Sequence, residues 1–147
     1  MLDRSWIGKE ISSVEVDVEQ GQLRFFARVV GETDPVYTDE AAAQAAGYPS
    51  LPAPPTFLFS LNLAQPDPLA KYTSMGVDLA KLLHGSQEFE YYAPICAGDR
   101  ITLKSRITDI VEKKGGALEI LSEETSATNQ RNELVGKSTQ SLVIRHG

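Results

Sequence analysis

The sequence predicts an α+β fold in which one apolar helix is enclosed by an antiparallel meander supplied by the second half of the chain. Two observations carry that expectation. Strand-like runs at about 86–93, 101–112, 117–128 and 134–145 are separated by the turn-forming groups Ala97-Gly98-Asp99, Lys114-Gly115-Gly116 and Asn129-Gln130-Arg131-Asn132. Upstream of them, the prolines of Leu51-Pro52-Ala53-Pro54-Pro55 give way to the nearly all-apolar Thr56-Phe57-Leu58-Phe59-Ser60-Leu61. Such a segment reads as a helix buried on every side with a proline in its first turn.

Taken in order, residues 11–18 predict a first strand, with Ile11, Val14, Val16 and Val18 in imperfect alternation. Leu23, Phe26, Ala27 and Val30 then fall at i, i+3, i+4 and i+7, one apolar stripe at helical period, and Gly31 is placed to end that helix. Residues 32–39 are therefore a loop. Thr38 or Asp39 can cap an alanine-rich helix over 40–46, which Gly47 stops. After the apolar helix, a strand opens near His84. In 101–107, Ile101, Leu103 and Ile107 face one way and Thr102, Lys104 and Arg106 the other, as in a sheet with one wet face.

The 147 residues fit one domain spanning 1–147. A net charge of −6 argues against a broad nucleic-acid surface, because nothing here neutralises a row of phosphates. Lys71, Lys81, Arg100, Lys104 and Arg106 could meet a phosphate locally, but they read first as solvated surface charge. The chain carries no run of ~18 to 20 apolar residues, so no membrane span is expected. Met1-Leu2-Asp3-Arg4-Ser5-Trp6 lacks a basic region followed by an apolar core, which leaves the cytoplasm as the expected location. Cys96, the single cysteine, cannot form an internal disulfide and has no ligand partner at metal spacing, so it is given no catalytic role.

Two motifs carry a resemblance over nearly the whole chain. Gly31-Glu32-Thr33-Asp34-Pro35-Val36-Tyr37-Thr38-Asp39 resembles the Gly-Asp-x-Asn-Pro-x-His-x-Asp loop of MaoC-type (R)-specific enoyl-CoA hydratases and hydroxyacyl dehydratases, with the register set by Pro35. The segment from His84-Gly85-Ser86-Gln87 to Ala97-Gly98-Asp99 is similar to one in the histidine-poor N-terminal half of MaoC-type dehydratases. It is also similar to the non-catalytic partner in the heterodimeric hydroxyacyl dehydratases of mycobacterial fatty-acid elongation. The resemblance implies the hotdog fold, a curved antiparallel sheet wrapped around one central helix. It also implies an acyl-CoA or acyl-carrier-protein thioester as ligand, a second hotdog subunit as partner, and no cofactor or metal.

Hydrating an enoyl thioester needs an acid/base pair that holds and splits a water, and donors that stabilise an enolate on the thioester oxygen. In the family, the loop Asp and His hold the water; the corresponding slots here are Glu32 and Tyr37. A histidine titrates near neutrality, whereas a tyrosine must move far from its usual range. The candidate catalytic residues are Glu32, Asp34, Tyr37 and His84, with Glu32 able to act as a base. The competing readings are structural: Asp34 and Asp39 as turn and cap residues, Tyr37 as a packed wall, and His84 as a hydrogen-bonded corner. Family members take their oxyanion donors from a glycine at the start of the central helix. Here that place is Pro55 or Thr56, so Thr56 or Phe57 must donate or the hole is absent. Pro55, Thr56, Phe57 and Phe59 are the candidate substrate-binding residues, with Leu61 beside them on the tunnel wall, and His146 reads as a tail residue. The favoured function is a hotdog subunit that shapes the acyl cleft beside a histidine-bearing partner. The alternatives are a self-sufficient homodimeric hydratase, a non-catalytic acyl-thioester-binding module and, last, a thioesterase.

Overall fold

The computed structural model describes residues 1–146. Five strands, β1 (Glu10–Asp17), β2 (Leu82–Tyr91), β3 (Arg100–Lys113), β4 (Leu118–Thr128) and β5 (Leu134–Arg145), form one sheet in the order β1-β3-β4-β5-β2, and every neighbouring pair is antiparallel. The four downstream strands arise where alternation and turn chemistry predict them. β2 starts earlier, at Leu82, so His84 lies inside the strand rather than opening it. The register shifts between His84 and Ser86, and a Cβ added at Gly85 would come within 2.8 Å of Ser141 Oγ and 3.0 Å of the Ser141 carbonyl oxygen, so a side chain there would force β5 to give way.

Period-two alternation places Ile101, Leu103, Ser105 and Ile107 of β3 on the buried face, with Lys104 and Arg106 exposed. On the outer face Arg106 pairs with Glu124 at 2.9 Å and Arg100 with Asp17 at 3.0 Å. The buried face holds two apolar clusters. One gathers Leu23, Leu51, Phe57, Leu58, Leu61 and Leu103, and the other Tyr72, Val77, Ile107, Leu121, Leu142 and Ile144. Strand register sets a polar band between them, with Ser105 opposite Thr125, Thr125 opposite Ser138, and Glu123 opposite Gln140.

Four helices lie beside the sheet: α1 (Gln20–Val29), α2 (Glu40–Ala45), α3 (Phe57–Asn62) and α4 (Ala70–Ser74). α1 buries Leu23 and Ala27, and Gly31 follows it at a φ of 78°. Asp39 caps α2, its Oδ1 accepting from the Ala41 N–H at 3.0 Å. The central helix α3 differs from expectation in two ways. Pro55 precedes the N-cap Thr56 instead of occupying the first turn. In addition, Phe59 and Ser60 remain half-exposed while Phe57, Leu58, Leu61 and Asn62 are buried. Six residues make fewer than two turns, and a sheet curving past one side of so short a helix leaves its other side open.

α4 has no counterpart in the sequence reading, because Ala70-Lys71-Tyr72-Thr73-Ser74 carries no apolar period. It corrects the reading of Lys71 as surface charge: the side chain is 8% exposed and pairs inside with Glu123. His146 is likewise no loose tail. Its Nε2 lies 2.5 Å from Oε2 of the buried Glu119, whose two oxygens also accept from the Leu2 N–H at 3.0 and 3.1 Å. No helix among the described residues is long and apolar enough to cross a membrane.

Candidate functional site

The head of α3 is where a thioester oxygen would need backbone donors. Thr56 sits there in the left-handed region, at φ 75° and ψ −12°, a conformation that is strained for a β-branched residue and free for glycine. Its N–H donates to the Tyr91 hydroxyl at 3.1 Å. The Phe57 N–H donates to the Pro54 carbonyl at 3.1 Å, and Pro55 has no N–H to give. Both backbone donors identified from the sequence are thus engaged within the chain. A pocket of about 340 Å³ opens beside this turn, lined among others by Tyr37, Tyr48, Pro54, Pro55 and Tyr91.

The loop over 31–39 reaches this pocket only through Tyr37. Asp34 Oδ1 accepts from the Val36 N–H at 3.0 Å and so caps the 3-10 turn Pro35–Tyr37. Arg24 Nε donates to the Thr38 carbonyl at 2.9 Å, which ties the end of the loop to α1. Burial raises the Tyr37 phenol above its usual range, and the charges of Glu32, Tyr48 and Asp34 push it further. The shift runs away from neutrality. A phenol so placed holds its proton at pH 7 and cannot serve as the base that an imidazole would be.

His84 belongs to a different opening, a groove of about 470 Å³ that it lines with Phe26, Thr56, Phe59, Gln87 and Phe89. Its Nε2 lies 3.2 Å from Gln87 Oε1, and its ring meets Phe59 edge to face with centroids 5.7 Å apart. Tyr37 and Pro55 therefore face one opening, and Thr56, Phe59 and His84 another, with Thr56 at the turn beside both. Glu32 and Asp34 line neither. Phe57 packs into the core against Phe26, ring centroids 5.2 Å apart, and Leu61 is buried with it. Phe59 is the α3 aromatic that lines the groove.

A family model described as "FAS1-like, dehydratase domain region" matches residues 5–138. The chain belongs to that family. A UPF0336 protein of Streptomyces coelicolor is 34% identical over 145 residues, covering 98% of this chain and 95% of the relative. One from Streptomyces avermitilis is 37% identical over 115 residues, 78% of this chain and 77% of the relative. Among solved structures, the HadBC (3R-hydroxyacyl-ACP dehydratase) complex of Mycobacterium tuberculosis contains a chain 29% identical, with a TM-score of 0.73 over 88% of this chain and 90% of that one. A MaoC-like dehydratase at 24% identity superimposes with a TM-score of 0.85 over 97% of this chain and 43% of that chain, a likeness of fold. The sheet and its helices are those of the MaoC-like hotdog fold.

In this FAS1-like dehydratase-region chain, sequence reasoning missed a buried polar network. Glu123, fully buried, accepts from Lys71 Nζ at 2.5 Å, the Tyr72 hydroxyl at 2.5 Å, Gln140 Nε2 at 2.9 Å and the Thr125 hydroxyl at 3.5 Å. Asn62 Nδ2 and the Ser105 hydroxyl meet Thr125 Oγ1 at 3.3 and 2.7 Å. Burial, and then the neighbouring Glu123 charge, drive the Tyr72 phenol far above its ordinary range. A signal was available in β4. Alternation from Leu121 to Ala127 puts Glu123 and Thr125 on the inward face, where a carboxylate needs a cationic partner. Nothing in the local pattern named that partner. Among the described residues, no group of three or more His, Cys, Asp or Glu side chains is arranged to hold a metal ion.

Proposed function

We propose that this chain is the non-catalytic half of an (R)-specific enoyl-thioester hydratase or 3-hydroxyacyl-thioester dehydratase, paired with a separate hotdog subunit that carries the catalytic histidine. The observation that carries this reading is the head of α3. Thr56 and Phe57 have committed their N–H groups to Tyr91 and Pro54, so an enolate oxygen there finds neither of these backbone donors free. The loop adds to it, since Asp34 is engaged as a cap and the Tyr37 phenol is shifted away from neutrality. The HadBC and ChsH1–ChsH2 structures of Mycobacterium tuberculosis are complexes, and chains in them share this fold.

In this role the chain contributes shape. Phe59, Phe89 and His84 give the groove an aromatic wall for an acyl chain, while the partner supplies the acid/base pair and the oxyanion donors. The ligand is an acyl-CoA or an acyl-carrier-protein thioester. The purified chain alone is expected to leave crotonyl-CoA unchanged, and co-purification with a histidine-bearing hotdog partner is expected to give hydration. Turnover by the chain alone at ordinary enzyme rates, lost in Glu32→Ala or Tyr37→Phe, overturns the proposal in favour of a self-sufficient hydratase.

A further inference from the structure

A chamber of about 270 Å³ lies between α3, α4 and the inner face of β5. Its walls are mainly apolar, including Phe59, Leu69, Leu79, Leu82 and Leu142, but Asn62, Lys71, Tyr72 and Gln140 meet at one side. Phe59 and His84 line both this chamber and the groove that runs to Thr56, so the two spaces adjoin.

The buried carboxylate fixes the polarity of the chamber. Glu123 only accepts, so its neighbours turn their protons toward it. Gln140 directs Nε2 to Glu123 and to the Tyr72 oxygen, at 2.9 and 2.8 Å, which leaves Oε1 without a protein partner. Thr125 Oγ1 accepts from Asn62 Nδ2 at 3.3 Å, which leaves Asn62 Oδ1 without a protein partner. Lys71 directs Nζ to Glu123 at 2.5 Å and Ser105 at 3.5 Å and lies over the Tyr72 ring at 5.0 Å, and the Tyr72 hydroxyl donates to Glu123. Among the described residues, no side-chain polar atom that is sealed from the surface lacks a partner. Asn62 Oδ1 and Gln140 Oε1, which have no protein partner, are therefore not sealed, although each residue is only 9% exposed, and both residues line the chamber. The acceptors left without a protein partner are these two amide oxygens, carried by residues that line an otherwise mainly apolar wall in which Lys71 is already paired with Glu123.

We infer that this chamber takes the hydroxyl-bearing end of an aliphatic chain, one amide oxygen accepting the hydroxyl proton. The inference rests on the reading above only in identifying the chain as the acyl group of the thioester, whose substrate class then becomes acyl thioesters with a hydroxyl remote from the reacting carbons. A carboxylate end is disfavoured, since burial strips its hydration while the Lys71 ammonium is already neutralised by Glu123, and an ether end leaves both amide oxygens unmet.

The test is calorimetric titration of the full chain with 1-octanol, heptyl methyl ether and octanoate, followed by a series of ω-hydroxyacyl-CoA thioesters of increasing length against their unsubstituted counterparts. Octanol is expected to bind at least tenfold more tightly than the ether or octanoate, and one ω-hydroxyacyl-CoA at least tenfold more tightly than its counterpart. Leu79→Trp, which fills the chamber from a partly exposed position, is expected to abolish octanol binding with an unchanged unfolding curve. Gln140→Leu and Asn62→Leu are expected to lower the preference for octanol over the ether. Equal binding of the ether or of octanoate, or octanol binding that survives Leu79→Trp, overturns the chamber's assignment. Octanol selectivity without hydroxyacyl-CoA selectivity overturns the acyl source. None of these titrations reads turnover, so their failure is separate from a failure of the non-catalytic reading.

Discussion

Replacing Lys71 by methionine removes the cation from the most deeply buried charge in the network. The substitution keeps the aliphatic stem and deletes the Nζ that lies 2.5 Å from Glu123 Oε1. Glu123 is fully buried and is left with Tyr72, Gln140 and Thr125, three neutral donors against a full negative charge. Breaking a buried pair from one side costs about 3–5 kcal/mol, because the surviving charge is neither hydrated nor paired. For a domain of this size that is a fall in Tm on the order of 10 °C. The reverse substitution, Glu123→Leu, is expected to cost less, since Lys71 lines the chamber and its flexible stem can carry the ammonium toward solvent, which a carboxylate on a central strand cannot do. The double variant Lys71→Met with Glu123→Leu is expected to be more stable than Lys71→Met alone, because no charge is stranded and the Tyr72 hydroxyl keeps its 2.8 Å bond to Gln140. Urea unfolding of the four proteins closes the cycle. A loss below about 1 kcal/mol in Lys71→Met, the scale of a solvent-exposed pair, refutes the reasoning.

Two further outcomes concern tyrosine ionisation and backbone strain. The Tyr72 phenol is raised in the folded state above its reference value of 10.0, so its contribution is intact below pH 10 and is lost as pH climbs beyond that, where only the unfolded chain ionises readily. Tm measured from pH 8 to 11 is expected to fall less steeply above pH 10 in Tyr72→Phe than in the parent; parallel curves speak against a buried neutral phenol. Thr56→Gly removes a β-branched side chain held at φ 75° with no side-chain capping bond, relieving about 1–3 kcal/mol of strain against an unfolded-state entropy penalty of roughly 0.5–1 kcal/mol. Chemical denaturation is expected to find the variant as stable as the parent or more so, and a loss above about 1 kcal/mol means that the threonine side chain holds the turn.

The strands of the second half were legible because their information is local. Alternation in 101–107 and glycines in the turns specify both the strand and the face it buries, and register follows once the turns are set. The loop over 31–39 was legible for the same reason, since Asp34 before Pro35 is turn chemistry and Asp39 before an alanine run is a cap. The alternation of β4 carries Glu123 to the inward face as well. Its partner was not legible: Lys71 is 52 residues away, on a helix too short to have a period.

By itself, the sequence determined where the strands run, which faces they bury, and that the imidazole of the related loop is replaced by Tyr37. Only the tertiary structure decided that Tyr91, 35 residues from Thr56, occupies the N–H at the head of the central helix, that Tyr37 and His84 face different openings, and that Lys71 lies inside. The physical reason is range. Periodicity and turn propensity act over a few neighbouring residues, whereas the occupancy of a donor or the pairing of a buried charge depends on which distant side chain the folded sheet carries to within 3 Å or so of it.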